Sequence, residues 1–397
     1  MRTLNLPPIK RFTDLEASSG IALLAATVAA LIWANSPLQH SYTSFWSASL
    51  GGDLGPVHLP GDVRSWIDDG LMALFFFVVG LEIKREWVSG ELQDRRVAAL
   101  PAIAAVGGMV VPALLFLAIA SGTDAGHGWG VPMATDIAFA LGVVALLGDR
   151  VPPPLKIFLL TLAIVDDVGA ILVIAVAYTD HVALGWLAGS GAIVAVIVLL
   201  RHLDSLALTI YLALGAGLWV CALNSGVHPT IAGVVLGLLA PSAGQGQRLE
   251  EALHPWTSNL VVPVFALANA GIVLSADVVP GGRPLMAVVI GLVVGKAIGV
   301  TGGAWVATKL GVATLPIGVR WSQIAGVAAL AGIGFTVALF ISNLAFDTAA
   351  VESEVKLGVL VASLIAAALG SILLTRSTRT GSVAEPDGTR NSGGVSR

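Results

Sequence analysis

Residues 159–176 read LLTLAIVDDVGAILVIAV, an apolar run with two adjacent aspartates at its centre. A helix needs about 20 mostly apolar residues to cross a membrane, and this run approaches that length. The whole chain of 397 residues shares this character, with 56% hydrophobic and 12% charged residues, against roughly 25% charged in an average soluble protein. So few charges cannot cover the surface of a soluble domain, and disorder requires the opposite balance. The composition therefore predicts an all-α polytopic membrane protein.

The same composition excludes several classes of protein. A single cysteine, Cys221, excludes a disulfide framework and a cysteine-based metal site. The net charge of −4 is small and dispersed, so we expect no nucleic-acid partner, and nothing in the chain indicates a cofactor. The apolar runs are continuous, unlike the ten-residue alternation of membrane β-barrels. The first 16 residues are polar, so we expect no cleavable signal peptide.

Twelve apolar segments are long enough to be read as membrane spans. They lie near residues 17–35, 66–83, 97–120, 129–147, 156–178, 183–200, 206–223, 227–240, 256–275, 285–307, 324–345 and 356–375. Segment 41–62 is rich in Gly, Pro and aromatic residues, and we expect a small β-hairpin there outside the bilayer. Residues 376–397 lack an apolar period, which predicts a disordered tail behind a single transmembrane domain, 1–375.

The distribution of Lys and Arg predicts the orientation of the chain. If the N-terminus is cytoplasmic, all but four of the 21 basic residues fall in cytoplasmic segments. The exceptions are Arg64, Arg283 and Lys356 on the outside, and Lys296 within a span. Because positive charge accumulates on the cytoplasmic side, both termini are expected in the cytoplasm.

Four ionisable residues stand deep inside apolar runs: Asp136, Asp166, Asp167 and Lys296. An ionised group at the bilayer centre costs roughly 2.5–3.5 kcal/mol on insertion scales. One structural ion pair is a sufficient explanation for one acid and the lysine, but two acids remain. Neighbouring positions on a helix also point about 100° apart, so Asp166 and Asp167 cannot face one partner in the same way.

Two adjacent carboxylates in an apolar surrounding resist simultaneous ionisation. Such a pair either holds a proton or, when both groups ionise, binds a small hard cation through oxygen ligands. Competition between protons and a cation for the same oxygens is the chemistry of an ion–proton exchanger.

Two spans are interrupted by glycine and polar residues. The fourth contains Thr135 and Asp136, and the eleventh contains Gly332, Gly334 and Thr336. Helix breaks at membrane depth are tolerated only where they line a buried cavity, and paired breaks are typical of transporter sites. The alternative is that these glycines only allow close helix packing.

Seven segments resemble the NhaA family of bacterial sodium/proton antiporters, in one unbroken order from about residue 11 to 375. They are DDGLMALFFFVVGLEIKRE (68–86), VPMATDIAFALGV (131–143), LLTLAIVDDVGA (159–170), NSGVHPTIAGVVLG (224–237), LHPWTSNLVVPVFALANAG (253–271), GKAIGV (295–300) and AGIGFTVALFI (331–341). The resemblance implies twelve helices with inverted repeats and two discontinuous helices that cross at the membrane midplane. It also implies a bacterial inner-membrane location and a homodimer joined through the 41–62 hairpin.

The resemblance also implies roles for the buried ionisable residues. Asp167 matches the principal sodium ligand and proton carrier. Asp166 matches an acid that either joins the ligands or pairs with Lys296. Thr135 matches a hydroxyl near the ion, and Asp136 matches the acid that faces the crossed helix ends.

A set of residues away from the aspartate pair matches the family's positions for pH response. These are Glu82, Glu86, Glu250, Glu251 and His254 on the cytoplasmic side, and His228 elsewhere; Asp69 matches an acid near the outer end of the second span. His and partly buried Glu titrate between pH 5 and 8, which suits a sensor. A solvated helix end explains Glu82 and Glu86 equally well without the family, and a structural role explains both histidines.

Several other functions compete with exchange of ions. A cation channel needs a continuous pore with several weak sites, which one aspartate pair does not provide. A proton-coupled transporter of an organic solute would want an arginine or aromatic pocket, and no arginine lies deep in a span. An intramembrane aspartyl protease would want separated acids in G-x-G-D and Tyr-Asp motifs, which are absent. We therefore expect no enzyme, but a Na⁺(Li⁺)/H⁺ antiporter working by alternating access, electrogenic and regulated by pH.

Overall fold

The computed structural model describes residues 7–379 apart from 53–54, 180–181, 204–206, 241–242 and 275–281. Within these residues the regular secondary structure is helical and no β-strand forms. The first half contains α1 (Pro7–Ala34), α2 (Gln39–Trp46), α3 (Val63–Ser65), α4 (Met72–Ser89), α5 (Arg95–Ala120), α6 (Ile137–Leu147), α7 (Pro153–Ala177) and α8 (Leu184–His202). The second half contains α9 (Leu208–Ser225), α10 (Pro229–Leu238), α11 (Ala243–Trp256), α12 (Val262–Asn269), α13 (Arg283–Ile290), α14 (Lys296–Lys309), α15 (Trp321–Leu330), α16 (Phe335–Ala345) and α17 (Ala349–Arg379).

Three wider π-helical segments join neighbouring helices without ending them. Trp66–Leu71 connects α3 to α4, Thr257–Val261 connects α11 to α12, and Gly291–Gly295 connects α13 to α14. Such segments are frequently found at functional sites. Lys296 is the first residue after the third segment.

Six helical segments among the described residues are long and apolar enough to cross a membrane, and nine are if each bent pair counts as one span. The six are α5, α7, α8, α9, the combined α13 and α14, and α17. The chain is therefore an all-helical, multi-pass membrane protein. Twelve spans remain a prediction.

Three of the predicted spans fall on helices that do not meet this criterion. Span 66–83 lies on a helix that carries Asp68, Asp69 and Glu82, and span 227–240 on the ten-residue helix α10. Span 256–275 lies on the π-helical segment and α12, which ends at Asn269. All three segments are helical. The first carries too many charged residues to meet the criterion, and the helices of the other two are too short.

The outer surface of the helix bundle is apolar. In α8, an apolar helix of 19 residues, only Ile197 is buried, and Leu184 remains 76% exposed. Monomeric soluble proteins rarely expose apolar patches of this size. Hydrocarbon around the bundle covers such a surface at no cost. The core lies inward of it, around Phe116, Phe265 and Phe340.

Glycines bring two pairs of helices into backbone contact. A Cβ added at Gly80 on α4 would lie 2.5 Å from the carbonyl oxygen of Val234 on α10. A Cβ added at Gly299 on α14 would lie 2.2 Å from the carbonyl oxygen of Gly107 on α5. Small residues permit this close packing in membranes, where apolar burial does not drive helices together. The α5–α14 contact sets the position of Lys296, which lies one helical turn before Gly299.

The predicted β-hairpin at 41–62 is not found in the described part of this segment. The segment begins within α2, which turns 115° from α1, and carries one isolated antiparallel bridge between Ser49 and Asp62. Gly and Pro populate the intervening residues, and both disfavour strands because glycine lacks a packing side chain and proline lacks an N–H.

The boundary of the predicted tail lies later than expected. Helix α17 continues past 376 to Arg379, and the Ser377 hydroxyl donates to the Leu374 carbonyl at 2.9 Å within that last turn. Residues 376–379 are all polar, so an apolar period could not show that the helix continues through them. The remainder of the predicted tail, 380–397, lies outside the described residues.

Candidate functional site

The first helix break separates the 3-10 helix Asp124–Met133 from α6, with a 45° change of direction. Asp136 occupies the break in an extended conformation, with φ −83° and ψ 102°. Its Oδ1 accepts a hydrogen bond from the Phe139 N–H at 3.0 Å. A carboxylate here satisfies an N–H that has no partner within the helix, and it opposes the partial positive charge of the helix N-terminus.

The second break separates α15 from α16 by 48° and contains Gly332 and Gly334. A Cβ on Gly332 would lie 2.3 Å from the carbonyl oxygen of Leu292. A Cβ on Gly334 would lie 3.2 Å from the carbonyl oxygen of Ala134, in the first break. These glycines allow the backbones of three broken or π-helical segments to approach one another.

Asp136 joins the two breaks directly. Its backbone N–H donates to the Ile333 carbonyl at 2.6 Å. Its Oδ2 accepts from both the N–H and the hydroxyl of Thr336, at 3.0 and 2.7 Å. One buried carboxylate therefore satisfies the N-terminal ends of α6 and α16 together, which predicts a structural role in holding the breaks in contact.

Asp166 and Lys296 form a fully buried ion pair. The Lys296 ammonium donates to Asp166 Oδ2 and also, at 3.0 Å, to the Thr135 hydroxyl oxygen. The Thr135 hydroxyl lies 2.6 Å from Asp166 Oδ2 and 2.9 Å from the Ala331 carbonyl, and it can donate to one of them at a time. Thr135 thereby connects the ion pair to both helix breaks.

Asp167 has different surroundings from its neighbour. Its side chain is 5% exposed, and its Oδ1 is buried without a hydrogen-bond partner. Asp166 Oδ1 also lacks a partner. The pair therefore divides into one acid compensated by Lys296 and one acid that faces a cavity.

That cavity is narrow, about 50 Å³, and is lined by Asp136 and Asp167 but not by Asp166. Its lining residues are Phe75, Val78, Val79, Glu82, Thr135, Asp136, Ile137, Ala138, Asp167, His254, Thr257, Ser258, Val262, Thr336 and Val337. Its deep end is formed by the broken helices and Asp167. Glu82 and His254 therefore share an open space with the aspartate site, which their sequence separation does not reveal.

Arg85 organises the predicted pH-response residues. Its guanidinium donates to Glu250 and, at 3.2 Å, to Glu86, and it lies 3.7 Å from Glu82. Arg85 is not among the site residues predicted from the sequence. The Glu82–Arg85 spacing was a usable signal, but Glu250 lies 165 residues away along the chain.

Glu250 lies on α11, outside the membrane spans. Burial raises the pKa of the Glu250 carboxyl above its usual range, while Arg85 and His254 oppose this shift. One of its oxygens, Oε2, is buried without a partner. Burial therefore makes Glu250 hold its proton to a higher pH than an exposed glutamate does.

The remaining predicted pH-response residues are not in the same contact group. Glu251 is exposed and accepts from Gln247 at 2.9 Å. His228 lies by Asp69, with a distance of 3.6 Å between Nε2 and Oδ1, and its Nδ1 is 2.8 Å from the Thr230 hydroxyl. His228 and Asp69 therefore form a separate pair.

A resident metal centre does not form among the described side chains, because no group of three or more His, Cys, Asp or Glu could hold one. The oxygens around Asp166 and Asp167 are few, and two of them lack partners.

Comparison with known proteins places the whole chain in one family. Residues 10–374 match the family described as Na⁺/H⁺ antiporter 1. The Na⁺/H⁺ antiporter NhaA of Tolumonas auensis is 48% identical over 384 residues, which cover 94% of this chain and 96% of that protein. The proteins of the same name from Oleidesulfovibrio alaskensis and Pseudomonas putida are each 46% identical, over 93% of this chain. With this identity over nearly its whole length, the chain belongs to the NhaA family of Na⁺/H⁺ antiporters.

Proposed function

We propose that the chain exchanges Na⁺ or Li⁺ from the cytoplasm for external protons. The observation that carries this proposal is the unpaired carboxylate of Asp167, which faces a cavity beside the buried Asp166–Lys296 pair. A buried acid without a hydrogen-bond partner is costly unless it binds something, and a proton and a small cation are the two candidates. Exchange follows if both compete for the same oxygens.

The available oxygens suit a hard monovalent cation. Asp167 supplies its carboxylate, Asp166 supplies an Oδ1 that has no partner, and Thr135 supplies a hydroxyl. Hard cations prefer such oxygen ligands, with water completing the shell. A cavity of about 50 Å³ is far smaller than the roughly 300–1,000 Å³ of pockets that take organic ligands. This size favours an ion over an organic solute.

Exchange requires that access to the site alternate between the two sides of the membrane. The helix breaks at Asp136 and Gly332 lie against the site, so a rocking of α6 and α16 would change which side Asp167 faces. Occupation by a cation or by protons neutralises the acids, whereas an empty ionised pair is poorly stabilised in apolar surroundings. Neutralisation therefore permits the movement, and an empty charged site resists it.

Two acids and a lysine offer more than one proton for each cation. If Asp167 and the Asp166–Lys296 pair each take part, exchange moves net charge and is electrogenic. A proton on Lys296 that leaves when Asp166 binds the cation is one route to this. The Arg85 contacts with Glu82, Glu86 and Glu250 support a pH-dependent control of the cavity mouth.

The larger architecture belongs to the same proposal. Twelve spans, inverted three-helix repeats and breaks that cross at the midplane are consistent with the two contacting breaks. The abundance of basic residues in alternate segments supports cytoplasmic termini in a bacterial inner membrane, surrounded by lipid. A homodimer through segment 41–62 and the absence of enzymatic activity complete the proposal.

Exchange in everted vesicles tests the proposal. Addition of Na⁺ or Li⁺ should dissipate a respiration-driven proton gradient at some pH between 6 and 9, and choline should not. Asp167→Asn should abolish the response while the protein still reaches the membrane. A wild-type protein without any Na⁺ or Li⁺ response would reject the function, and full exchange by Asp167→Asn would reject the site.

A further inference from the structure

Three elements that line the cavity continue past the aspartate site. They are α4, α12 and α16, which contribute Val79, Val262 and Thr336 to the cavity. At about 1.5 Å per residue, each helix extends roughly 10–15 Å from these residues to its far end, on the side of the site away from Glu82. The route by which a cation would leave on that side runs between these three ends.

An aromatic layer closes this route next to the site. Phe76, Phe265 and Phe340 are buried, one on each of the three helices. The ring centroids of Phe76 and Phe340 are 5.5 Å apart, and those of Phe265 and Phe340 are 6.2 Å apart. These separations are typical of packed aromatic pairs and leave no passage for a hydrated ion.

A polar ring lies beyond the aromatic layer and consists of Asp68, Asn269 and Asn343. The Asn269 amide donates to Asp68 Oδ1 at 2.7 Å, and the Asn343 amide donates to Asp68 Oδ2 at 3.2 Å. Asn343 also donates to the Asn269 carbonyl oxygen at 2.8 Å. Every one of these bonds joins two different helical elements, and none lies within a single helix.

The surroundings of the polar ring contain further charges. Lys356 of α17 and Arg64 of α3 both act electrostatically on Asp68. Lys356 is itself paired with Glu352 on its own helix. Asn343 Oδ1 is buried without a hydrogen-bond partner. The three side chains of the polar ring therefore make these hydrogen bonds with one another, between different helices.

We propose that Asp68, Asn269 and Asn343 form a gate that holds the far side of the transport path closed and opens when the cation leaves. This inference rests on the proposed exchange function and adds to it three positioning residues that do not touch the ion. Asp68 has the central place because its two carboxylate oxygens accept from both amides.

The chemistry of the polar ring suits a contact that must open and close. When the three helix ends separate, water from the far side can replace each hydrogen bond, so no polar group is left unsatisfied. Closure forms the same bonds again and fixes the register of the three helices.

Reversible cross-linking of the polar ring tests the gate. Cys221 is the only cysteine, so Cys221→Ala provides a cysteine-free background. Asn269→Cys with Asn343→Cys in that background should exchange at a reduced rate, because two gate amides are missing. Joining the two thiols with a short bis-methanethiosulfonate reagent should abolish this remaining exchange, and reduction should restore it. His58→Cys with Asn224→Cys is the matched control, because His58 and Asn224 are an exposed hydrogen-bonded pair outside the ring. The control protein should keep its exchange activity when it is cross-linked. Mass spectrometry of its peptides verifies that the cross-link has formed.

A second measurement does not depend on transport or on cross-linking yield. Ser342→Cys places a reporter thiol beside the ring, on a residue that is buried in the closed state. Adding Asp68→Ala should speed its labelling by an impermeant thiol reagent in right-side-out vesicles by about tenfold, within the range typical of conformational coupling. Labelling in everted vesicles should not change.

The outcomes separate the gate from the exchange function. If the wild-type protein shows no exchange, the proposed function fails. If it exchanges but cross-linked Asn269→Cys with Asn343→Cys transports at the uncross-linked rate, the gate is wrong. An unchanged labelling rate of Ser342→Cys in the Asp68→Ala protein also overturns the gate.

Discussion

Asp166 and Asp167 are neighbours in the chain, but only the Asp166 side chain is paired with a positive charge. Asp166 is bonded to the Lys296 ammonium and lies near the Thr135 hydroxyl. Asp167 has an unpaired oxygen and a cavity in front of it. The angle of about 100° between adjacent helical positions produces this difference. Loss of charge should therefore affect the two positions differently.

Neutralisation of each aspartate predicts opposite effects on stability. Asp166→Asn leaves the Lys296 ammonium buried without its counter-ion, and we expect a loss of about 3–5 kcal/mol in the free energy of unfolding. Asp167→Asn removes a buried charge that lacks a partner, so the protein should be as stable as the wild type or more so. Thermal unfolding of the purified proteins in one detergent checks both. Equal destabilisation by the two substitutions would contradict this division of roles.

Helix α14 illustrates how one element places a functional side chain. Lys296 begins the helix after a π-helical segment, and Gly299 presses the same helix onto Gly107 of α5. The helix cannot move away from α5 without moving the ammonium. Close packing at one turn therefore fixes the charge at the next.

Two glycines of α14 provide a matched pair of substitutions. A Cβ on Gly299 would lie 2.2 Å from the Gly107 carbonyl oxygen, whereas a Cβ on Gly302 meets nothing within 4 Å. Gly299→Ala should cost about 1–3 kcal/mol and reduce exchange, as expected for overpacking. Gly302→Ala should instead stabilise the helix by about 0.5–1 kcal/mol. Melting temperature and vesicle exchange measure both effects, and a harmless Gly299→Ala would show that the α5–α14 contact can relax.

The junction between α4 and α11 predicts a pH dependence of stability. Burial raises the pKa of Glu250 above the usual value, so the folded state holds a proton that the unfolded state has released. The resulting stabilisation is fully present below the ordinary glutamate pKa of about 4.5 and is lost as pH rises through the raised pKa. Glu250→Gln should remove this loss, so its stability relative to the wild type should increase with pH. A pH series of thermal melts of the wild-type and Glu250→Gln proteins checks this, and a constant difference between them across the series would contradict it.

At the scale of the whole molecule, the apolar exterior and the rare charges determine how the chain lies in a bilayer. Exposed Leu and Val cover the lipid-facing helices, such as Leu184 on α8. The buried charges gather instead at the aspartate site, at the Arg85 contacts and around Asp68. A membrane protein concentrates its polar groups where a path for ions must pass, because anywhere else they would meet hydrocarbon.

The predicted orientation can be tested with two exposed basic residues. In the Cys221→Ala background, Lys309→Cys should react with an impermeant maleimide only in everted vesicles, because its segment is expected in the cytoplasm. Arg283→Cys should react only in right-side-out vesicles. Both side chains are exposed, so accessibility is not limited by the fold. Reaction of the two thiols on the same side would overturn the orientation.

The sequence by itself determined the class of the protein and most of its chemistry. Apolar runs predicted a helical membrane protein, because composition and period depend only on local residues. Rare charges within those runs identified Asp136, Asp166, Asp167 and Lys296, because each is anomalous against its immediate neighbours. Motif order then identified the family.

Only the tertiary structure decided how these residues divide the work. Pairing of Lys296 with Asp166 rather than Asp167, and the role of Asp136 across both breaks, depend on contacts between residues 130 to 200 positions apart. The contacts of Arg85 and of the polar ring could not be predicted from sequence for the same reason. Their partners are distant in the chain, and charged or polar residues near a helix end are usually solvated. Local patterns reveal which groups are costly to bury, but only the packing of distant helices shows which of them find partners.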